Sequence, residues 1–479
     1  MSNPWMMQSQ IKKLLPNAEI VNPPTIDFPI KRFISNSRDI LPGDCFIAIR
    51  GVKFDAHEFL HDVQAHGAVI SLISNIEKLP KNLPGVLVKD TVKAIQDLAK
   101  AWKRVCAAQN LSKLAVVTGS NGKTTVKGMI ESIFKAGVGT EKTLATQGNL
   151  NNEIGLPMSL LRLTAEHRLA VIELGMNHPG ETKLLADIAQ ADIALINNAQ
   201  REHQEFMATV EAVAQEHGLA ISSLPENGTA VFPADSQYSK YWRELSKTRK
   251  VIDFAWSQNI PATVIGSWVD QPSNHIKINT PLGSIELKLN ILGEHNASNA
   301  LAATAVGLAA GMTLDDIKKG LEEFQPVSGR MQVHQLNKHT TLIDDTYNAN
   351  PDSVRAAIDV LSSTNMSSWL VLGDMGEVGD QGAQFHAEIG AYARENHIKK
   401  LFAIGELSKE AVNSYNHCSN LKNDAGINAT HFEKFEELFS ALKESLQQRS
   451  KNEATTLLIK GSRFMRMERV VKDLVEEIH

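Results

Sequence analysis

At 479 residues the chain has room for about three domains of ~150 residues each. Its 43% apolar, 6% aromatic and 22% charged content is that of ordinary globular proteins, which excludes a disordered or coiled-coil chain. With 49 Lys and Arg against 54 Asp and Glu, a net charge of −5, no basic field exists for general nucleic-acid binding.

Three cysteines, Cys45, Cys106 and Cys418, are odd in number and far apart. They exclude a disulfide framework and a four-cysteine zinc site, and they suit a reducing compartment. The N-terminal MSNPWMMQSQIKK lacks the apolar run of a signal peptide, and no window of about 18 apolar residues predicts a membrane span. A cytoplasmic protein without membrane insertion is expected.

In chain order, residues 1–110 carry strand-like runs at 44–49, 67–73 and 85–90, closed by a helix over Thr91–Gln109 with Val92, Ile95, Leu98, Ala99 and Trp102 on one face. From 111 the rhythm changes. LAVVTG (114–119) reads as a buried parallel strand, a glycine turn leads into a helix from Thr124 to about Phe134, and RLAVIELG (168–175) and ADIALINN (191–198) repeat the strand pattern. The alternating HIKINT and SIELKLNIL segments within 260–292 predict a small antiparallel addition, and 296–311 an alanine-rich buried helix ended by Gly311. FQPVSGR (324–330) marks a second boundary. Beyond it TTLIDD, SSWLVLGD, KKLFAIGE and ATTLLIKG predict another doubly wound unit. The fold class is therefore α/β in three domains: a small N-terminal α/β substrate domain (1–110), a central P-loop-type parallel-sheet ATPase domain (111–325) and a C-terminal Rossmann-like domain (326–479).

The strongest chemical signal is TGSNGKTT at 118–125, between a predicted strand and a predicted helix. Gly119, Ser120, Asn121 and Gly122 let several backbone N–H groups face one point at a helix N-terminus, which favours phosphate. Lys123 supplies a full charge to the terminal phosphates, the Thr124 hydroxyl suits Mg²⁺, and Thr125 completes the motif. Val117 stands where the usual loop has its first glycine, so this is a shortened G-x-x-G-K-T-T form. NKHT (337–340) lacks the aspartate of a guanine-reading motif, which favours ATP over GTP. Glu173 ends the strand AVIELG, where strand C-termini line a ligand crevice. Asn296 and Asn299 open the alanine-rich helix; capping is one role for them. NSRD at 36–39 reads as a surface turn, GNLNNEIG as a polar turn, and GDMGE as an ordinary strand-to-helix connection.

The shortened loop resembles that of the Mur ligases and their folylpolyglutamate synthetase relatives. NSRDILPGDCFIAIRGVKFDAHEF (36–59), GNLNNEIGLP (148–157), VIELGMNHPGE (171–181), GEHNASNALAA (293–303), DDTYNANPDS (344–353), LGDMGEVG (372–379) and KGSR (460–463) extend the resemblance collinearly along nearly the whole chain. They look like the branch of the Mur ligases that adds a dipeptide; the DNPR motif of the diaminopimelate-adding branch is absent. The resemblance implies ATP-dependent ligation of D-alanyl-D-alanine to UDP-N-acetylmuramoyl-tripeptide (UDP-MurNAc-tripeptide) through an acyl phosphate, in peptidoglycan precursor synthesis, using ATP and Mg²⁺; three linked domains with no obvious extra apolar face make a monomer the expectation. A folylpolyglutamate-synthetase-like ligase acting on another carboxylate is the alternative.

Carried onto this sequence, the resemblance makes Lys123, Glu173 and His203 catalytic. Thr124, Glu173 and His203 become metal ligands, Asn296 and Asn299 neighbours of adenine, and Arg330 a phosphate contact. Asp345 and Tyr347 fall beside the nucleotide, with Asp344 the alternative to Asp345. Asn36, Ser37 and Arg38, with Gly51, Asp55 and His57 nearby, are placed at the uridine diphosphate. Asn149, Asn151 and Asn152 are placed at the muramyl-peptide, and Asp374, Glu377, Ser462 and Arg463 at the dipeptide. Relatives usually carry a CO₂-carbamylated lysine that bridges to a second Mg²⁺; here the matching position is His217, and no lysine lies between Lys183 and Lys240. His217 is therefore expected near His203 as a metal ligand, directly or through water. Glu216, adjacent on the helix, should point roughly 100° away.

Overall fold

The computed structural model describes residues 5–257, 259–270, 274–364, 366–417, 428–450 and 453–476. Cys418 lies outside them. Cys45 and Cys106 are free and buried, and burial pushes both thiols up to about 12, which makes them inert packing groups.

Three sheets follow one another along the chain. The first has five strands in the order 19–21, 85–87, 70–73, 44–47, 32–34, parallel except for the antiparallel edge strand Glu19–Val21. The helix Thr91–Gln109 leaves this sheet, capped by Asp90, whose Oδ1 accepts from the N–H groups of Val92 and Lys93. Its apolar face buries Ile95, Leu98 and Trp102, and the Trp102 indole donates to the Leu163 carbonyl (2.9 Å), docking the helix onto the central unit.

The second sheet has nine strands. Seven parallel ones run 264–268, 250–255, 229–233, 193–196, 113–118, 169–173, 143–145, and the hairpin 275–280/283–288 adds two antiparallel strands at one end. Strand Lys113–Thr118 is central; its residues 114–118 are all buried, the continuous apolar reading of a strand covered on both faces. The chain leaves it to one side for 143–145 and 169–173, then crosses to the other for 193–196. That reversal makes the C-terminal end of this strand the crevice of the sheet. Helix Lys123–Val138 covers one face and packs on Leu314–Glu323 so closely that a Cβ on Gly320 would stand 2.4 Å from Ile133 Cα.

The third sheet has six strands, 332–337, 340–345, 455–460, 367–373, 400–404, 428–432, parallel except for the first. Helix Pro351–Ser362 packs toward the central unit, and Val354, Ile358 and Leu361 belong to the same apolar cluster as Ile130, Ile133 and Leu301. Helices Gly382–Glu395 and Ser408–His417 cross at Gly390, where an added Cβ would lie 1.9 Å from the Ala411 carbonyl oxygen. Gly390→Ala should therefore destabilise the third unit by about 1–3 kcal/mol through overpacking, read as a lower denaturation midpoint; an unchanged midpoint would refute this packing.

The strands expected at 44–49, 67–73, 85–90 and 114–119 form, as do those expected around 168–175 and 191–198 and the four expected beyond 330. The antiparallel addition forms, and the helix expected at Thr91–Gln109 has those ends. Short edge strands such as 19–21, 32–34 and 143–145 were too brief to show a period. Among the described residues no helix is long and apolar enough to cross a membrane.

Candidate active site

The phosphate loop sits at the switch point of the central sheet. Gly119 (φ 135°) and Gly122 (φ 78°) take left-handed conformations that side chains resist. A Cβ on Gly122 would also stand 2.7 Å from Asn299 Oδ1 and 2.8 Å from Asn197 Nδ2. The loop is pinned from the next strand: Asn121 N donates to Asn198 Oδ1 (2.8 Å) and Asn121 Nδ2 to Gln200 Oε1 (2.7 Å). From the third unit, Asn350 Nδ2 donates to Asn121 Oδ1 (2.8 Å) while Asn350 Oδ1 caps helix Pro351–Ser362.

This loop opens into a cavity of about 1020 Å³ with walls from the second and third units. That volume is at the upper end of small-ligand sites, enough for a nucleotide and the reacting end of another substrate. Lys123, Thr124, Asn149, Asn151, Asn152, Glu173, His203, Asn296, Asn299, Arg330, Asp345, Tyr347 and Arg463 all line it.

Thr124 Oγ1 donates to Glu173 Oε2 (3.0 Å), and Asn151 Nδ2 donates to Glu173 Oε1 (2.9 Å). A buried hydroxyl and carboxylate side by side at the phosphate end are hard oxygen donors, and this set fits Mg²⁺. Lys123 Nζ folds back onto the Gly119 and Ser120 carbonyls and lies 3.3 Å from Glu202 Oε2. His203, at φ 46°, places Nε2 3.8 Å from Glu202 Oε2 and Nδ1 2.7 Å from Glu377 Oε2. Glu377 is also left-handed (φ 57°), so two strained side-chain-bearing residues meet here, as happens at functional sites. The His203 contact holds the Glu377 carboxyl below its ordinary range.

His217 is placed differently from its expectation. It is fully buried and absent from the cavity wall. Its Nε2 donates to Glu202 Oε1 (2.8 Å) and its Nδ1 is 2.9 Å from Thr118 Oγ1, so both ring nitrogens are occupied. Glu202, which sequence reasoning passed over, stands between His217 and the cavity. Burial alone would raise its pKa, but Lys123, His217 and His203 together hold it far below the ordinary carboxylate range. Glu216 points away as expected, accepting from the Gly180 and Thr182 N–H groups.

Other residues sort clearly. Asn296 and Asn299 do not cap their helix: Asn299 Nδ2 donates to Asn296 Oδ1 (3.0 Å), and Asn299 Oδ1 accepts from Asn197 Nδ2 (2.8 Å), beneath the loop. Arg330 lies over the Tyr347 ring (4.1 Å), with Arg463 5.7 Å from the same ring, and Arg330 Nε has no hydrogen-bond partner among the described residues. Asp345 faces the cavity and pairs with Lys460, whereas Asp344 is buried behind, accepting from Gly329 N, Thr346 N and Thr346 Oγ1.

Asp374 and Ser462, expected at the dipeptide end, hydrogen-bond to backbone groups instead of facing the cavity. Asp374 accepts from the N–H groups of Glu406, Leu407 and Ser408, and Ser462 Oγ bridges Gly376 N and the Ala349 carbonyl. Both are spent on backbone groups, and neither lines the cavity. Asn36, Ser37 and Arg38 also stand outside it; Asn36 Oδ1 caps the turn by accepting from Arg38 N. Asp55 ties Arg50 to His57 and is held at about 2, its burial outweighed by these hydrogen bonds.

A further cross-domain contact borders the site. Arg201 donates to Asp352 from Nη2 (2.6 Å), Nε (3.1 Å) and its backbone N (2.8 Å), and from Nη1 to Glu388 (2.9 Å), which Arg355 also holds (2.8 Å).

Comparison with known proteins agrees with this geometry. The Mur ligase middle domain matches residues 117–307, and the Mur ligase glutamate ligase domain matches 329–463. The chain is 37% identical over 451 residues to the UDP-N-acetylmuramoyl-tripeptide–D-alanyl-D-alanine ligase of Escherichia coli K12, covering 94% of this chain and 95% of that protein. It is 36% identical over 458 residues to the protein of the same name from Haemophilus influenzae, covering 94% of each. A crystal structure of MurF from Acinetobacter baumannii superposes with a TM-score of 0.88 at 32% identity over 99% of both chains. With the shortened phosphate loop, the Thr124–Glu173 pair and the shared cavity all in place, the chain belongs to the Mur ligase family.

Proposed function

We propose that this enzyme joins D-alanyl-D-alanine to UDP-MurNAc-tripeptide at the expense of ATP, in the cytoplasm and as a monomer. The observation that carries the reading is the single cavity in which the phosphate loop of the central unit faces Glu377 and Arg463 of the third. Phosphate donor and amine acceptor can thus meet in one place supplied by one chain. In this reading residues 1–110 hold the uridine diphosphate through Asn36, Ser37 and Arg38, 111–325 hold ATP, and 326–479 hold the dipeptide.

A carboxylate is a poor electrophile, so its oxygen first attacks the γ-phosphorus and ADP leaves. The amine then attacks the acyl carbon, and inorganic phosphate departs with the carboxyl oxygen. Lys123 leaves the Gly119 and Ser120 carbonyls to meet the phosphates, and the N–H groups opening helix Lys123–Val138 bind them. Thr124 and Glu173 would hold Mg²⁺, with His203 toward a second ion. Bound there, Mg²⁺ supplies positive charge that offsets the charge developing on the transferred phosphoryl group. Arg330 offers its open Nε to phosphate or ribose, and Asp345 and Tyr347 wall the nucleotide. Asn151, already on Glu173, orients that carboxylate and borders the tripeptide end. Glu377 presents an anion to the incoming ammonium group.

The expected result is ATP-dependent phosphate release only when UDP-MurNAc-tripeptide and D-alanyl-D-alanine are both present. Release with a folate substrate and glutamate instead would favour the folylpolyglutamate-type alternative and overturn the proposal.

A further inference from the structure

The function proposed above gives no role to Glu202, a buried carboxylate facing the phosphate loop. Its side chain is 4% exposed, and isolating a charge there costs several kcal/mol unless it is paired. Each oxygen has its own environment. Oε1 is fixed by His217 Nε2 at 2.8 Å, and His217 is itself held by Thr118, the last residue of the strand feeding the loop. Oε2 points into the cavity, 3.3 Å from Lys123 Nζ and 3.8 Å from His203 Nε2.

Lys123 is the only full positive charge of the phosphate loop, and phosphate binding must draw it away from Oε2. The carboxylate then keeps its buried position and its His217 hydrogen bond but loses its cation. A purely structural partner for Lys123 would be stranded at that moment. A metal ligand would not: the vacated oxygen, with His203 Nε2 beside it, faces the point where phosphate oxygens arrive. The left-handed backbone of His203 (φ 46°) is what turns its ring toward that point.

We propose that Glu202 Oε2 and His203 Nε2 bind a second divalent cation against the nucleotide phosphates, with His217 as the positioning residue for Glu202. The anion is thus encoded in the chain and needs no CO₂, in keeping with the absence of lysine from 184 to 239. Phosphate oxygens and waters complete the coordination, the usual way Mg²⁺ is held when a protein gives it one or two groups.

The inference rests on the nucleotide-binding part of the proposed function and not on the identity of the peptide substrates. Its test is a Mn²⁺ titration of the full chain with a non-hydrolysable ATP analogue, followed by electron paramagnetic resonance, with no peptide substrate added. Wild type should bind two Mn²⁺ per chain, and Glu202→Gln one, with the Thr124–Glu173 ion retained. His217→Gln should leave two ions but weaken one about 10–100-fold, the usual effect of losing a partner behind a metal ligand. The wild-type count should be the same in CO₂-free buffer and with added bicarbonate, a measurement that needs no variant to fold. Two ions of wild-type affinity in folded Glu202→Gln, a single ion in wild type, or a second ion appearing only with bicarbonate would each overturn the proposal. Failure of the analogue to bind at all would instead remove the nucleotide reading beneath it.

Discussion

Lys123→Ala should abolish useful ligation while leaving the chain folded. Its ammonium is the charge that meets the transferring phosphoryl group, and removing one such preorganised contact typically lowers the rate about 10²–10³-fold. The fold should survive because Glu202, the carboxylate losing a partner, keeps its 2.8 Å hydrogen bond to His217. Phosphate release and far-UV circular dichroism measured together would check this. Activity within a few-fold of wild type would refute the role of the loop, and an unfolded spectrum would show that Lys123 is needed for structure instead.

Glu173→Ala should be comparably severe by a different route. Glu173 accepts from Thr124 Oγ1 and from Asn151 Nδ2, so truncation removes a metal-binding carboxylate and strands two donors at once. Loss of several kcal/mol of metal-derived stabilisation corresponds to about three orders of magnitude in rate. Raising Mg²⁺ should restore little, because the remaining hydroxyl is a weak ligand alone. Full rescue at high Mg²⁺ would mean that Glu173 only orients Asn151.

The parts legible from sequence were those where local pattern and tertiary role coincide. TGSNGKTT announces itself because glycine spacing, a buried strand before and a helix after are all local. Glu173 was legible because a carboxylate ending an apolar strand has few other places to point. Asn296 and Asn299 looked equally like caps; the helix instead begins after Gly293, which turns both beneath the loop. Asp374 and Asp345 follow similar strands, yet only the packing of the 405–408 turn decides that one is spent on backbone N–H groups. Glu202 was invisible for a related reason. In REHQ the histidine drew attention, and nothing local reveals that His217, 15 residues on, lies behind its neighbour. His217, expected as a metal ligand near His203, instead lies one layer back from the cavity, with Glu202 between.

Residues 197–203 bear on how the enzyme cycles. Asn198 and Gln200 hold Asn121 of the phosphate loop, Arg201 clasps Asp352 and Glu388 across the domain boundary, and Glu202 and His203 face the reacting phosphates. No hinge separates these duties: the guanidinium that fastens the third unit is covalently adjacent to the carboxylate beside Lys123. A displacement of that unit would therefore be felt at the loop that Asn198 and Gln200 hold. The domain boundary and the phosphate loop are in this way tied together through seven consecutive residues.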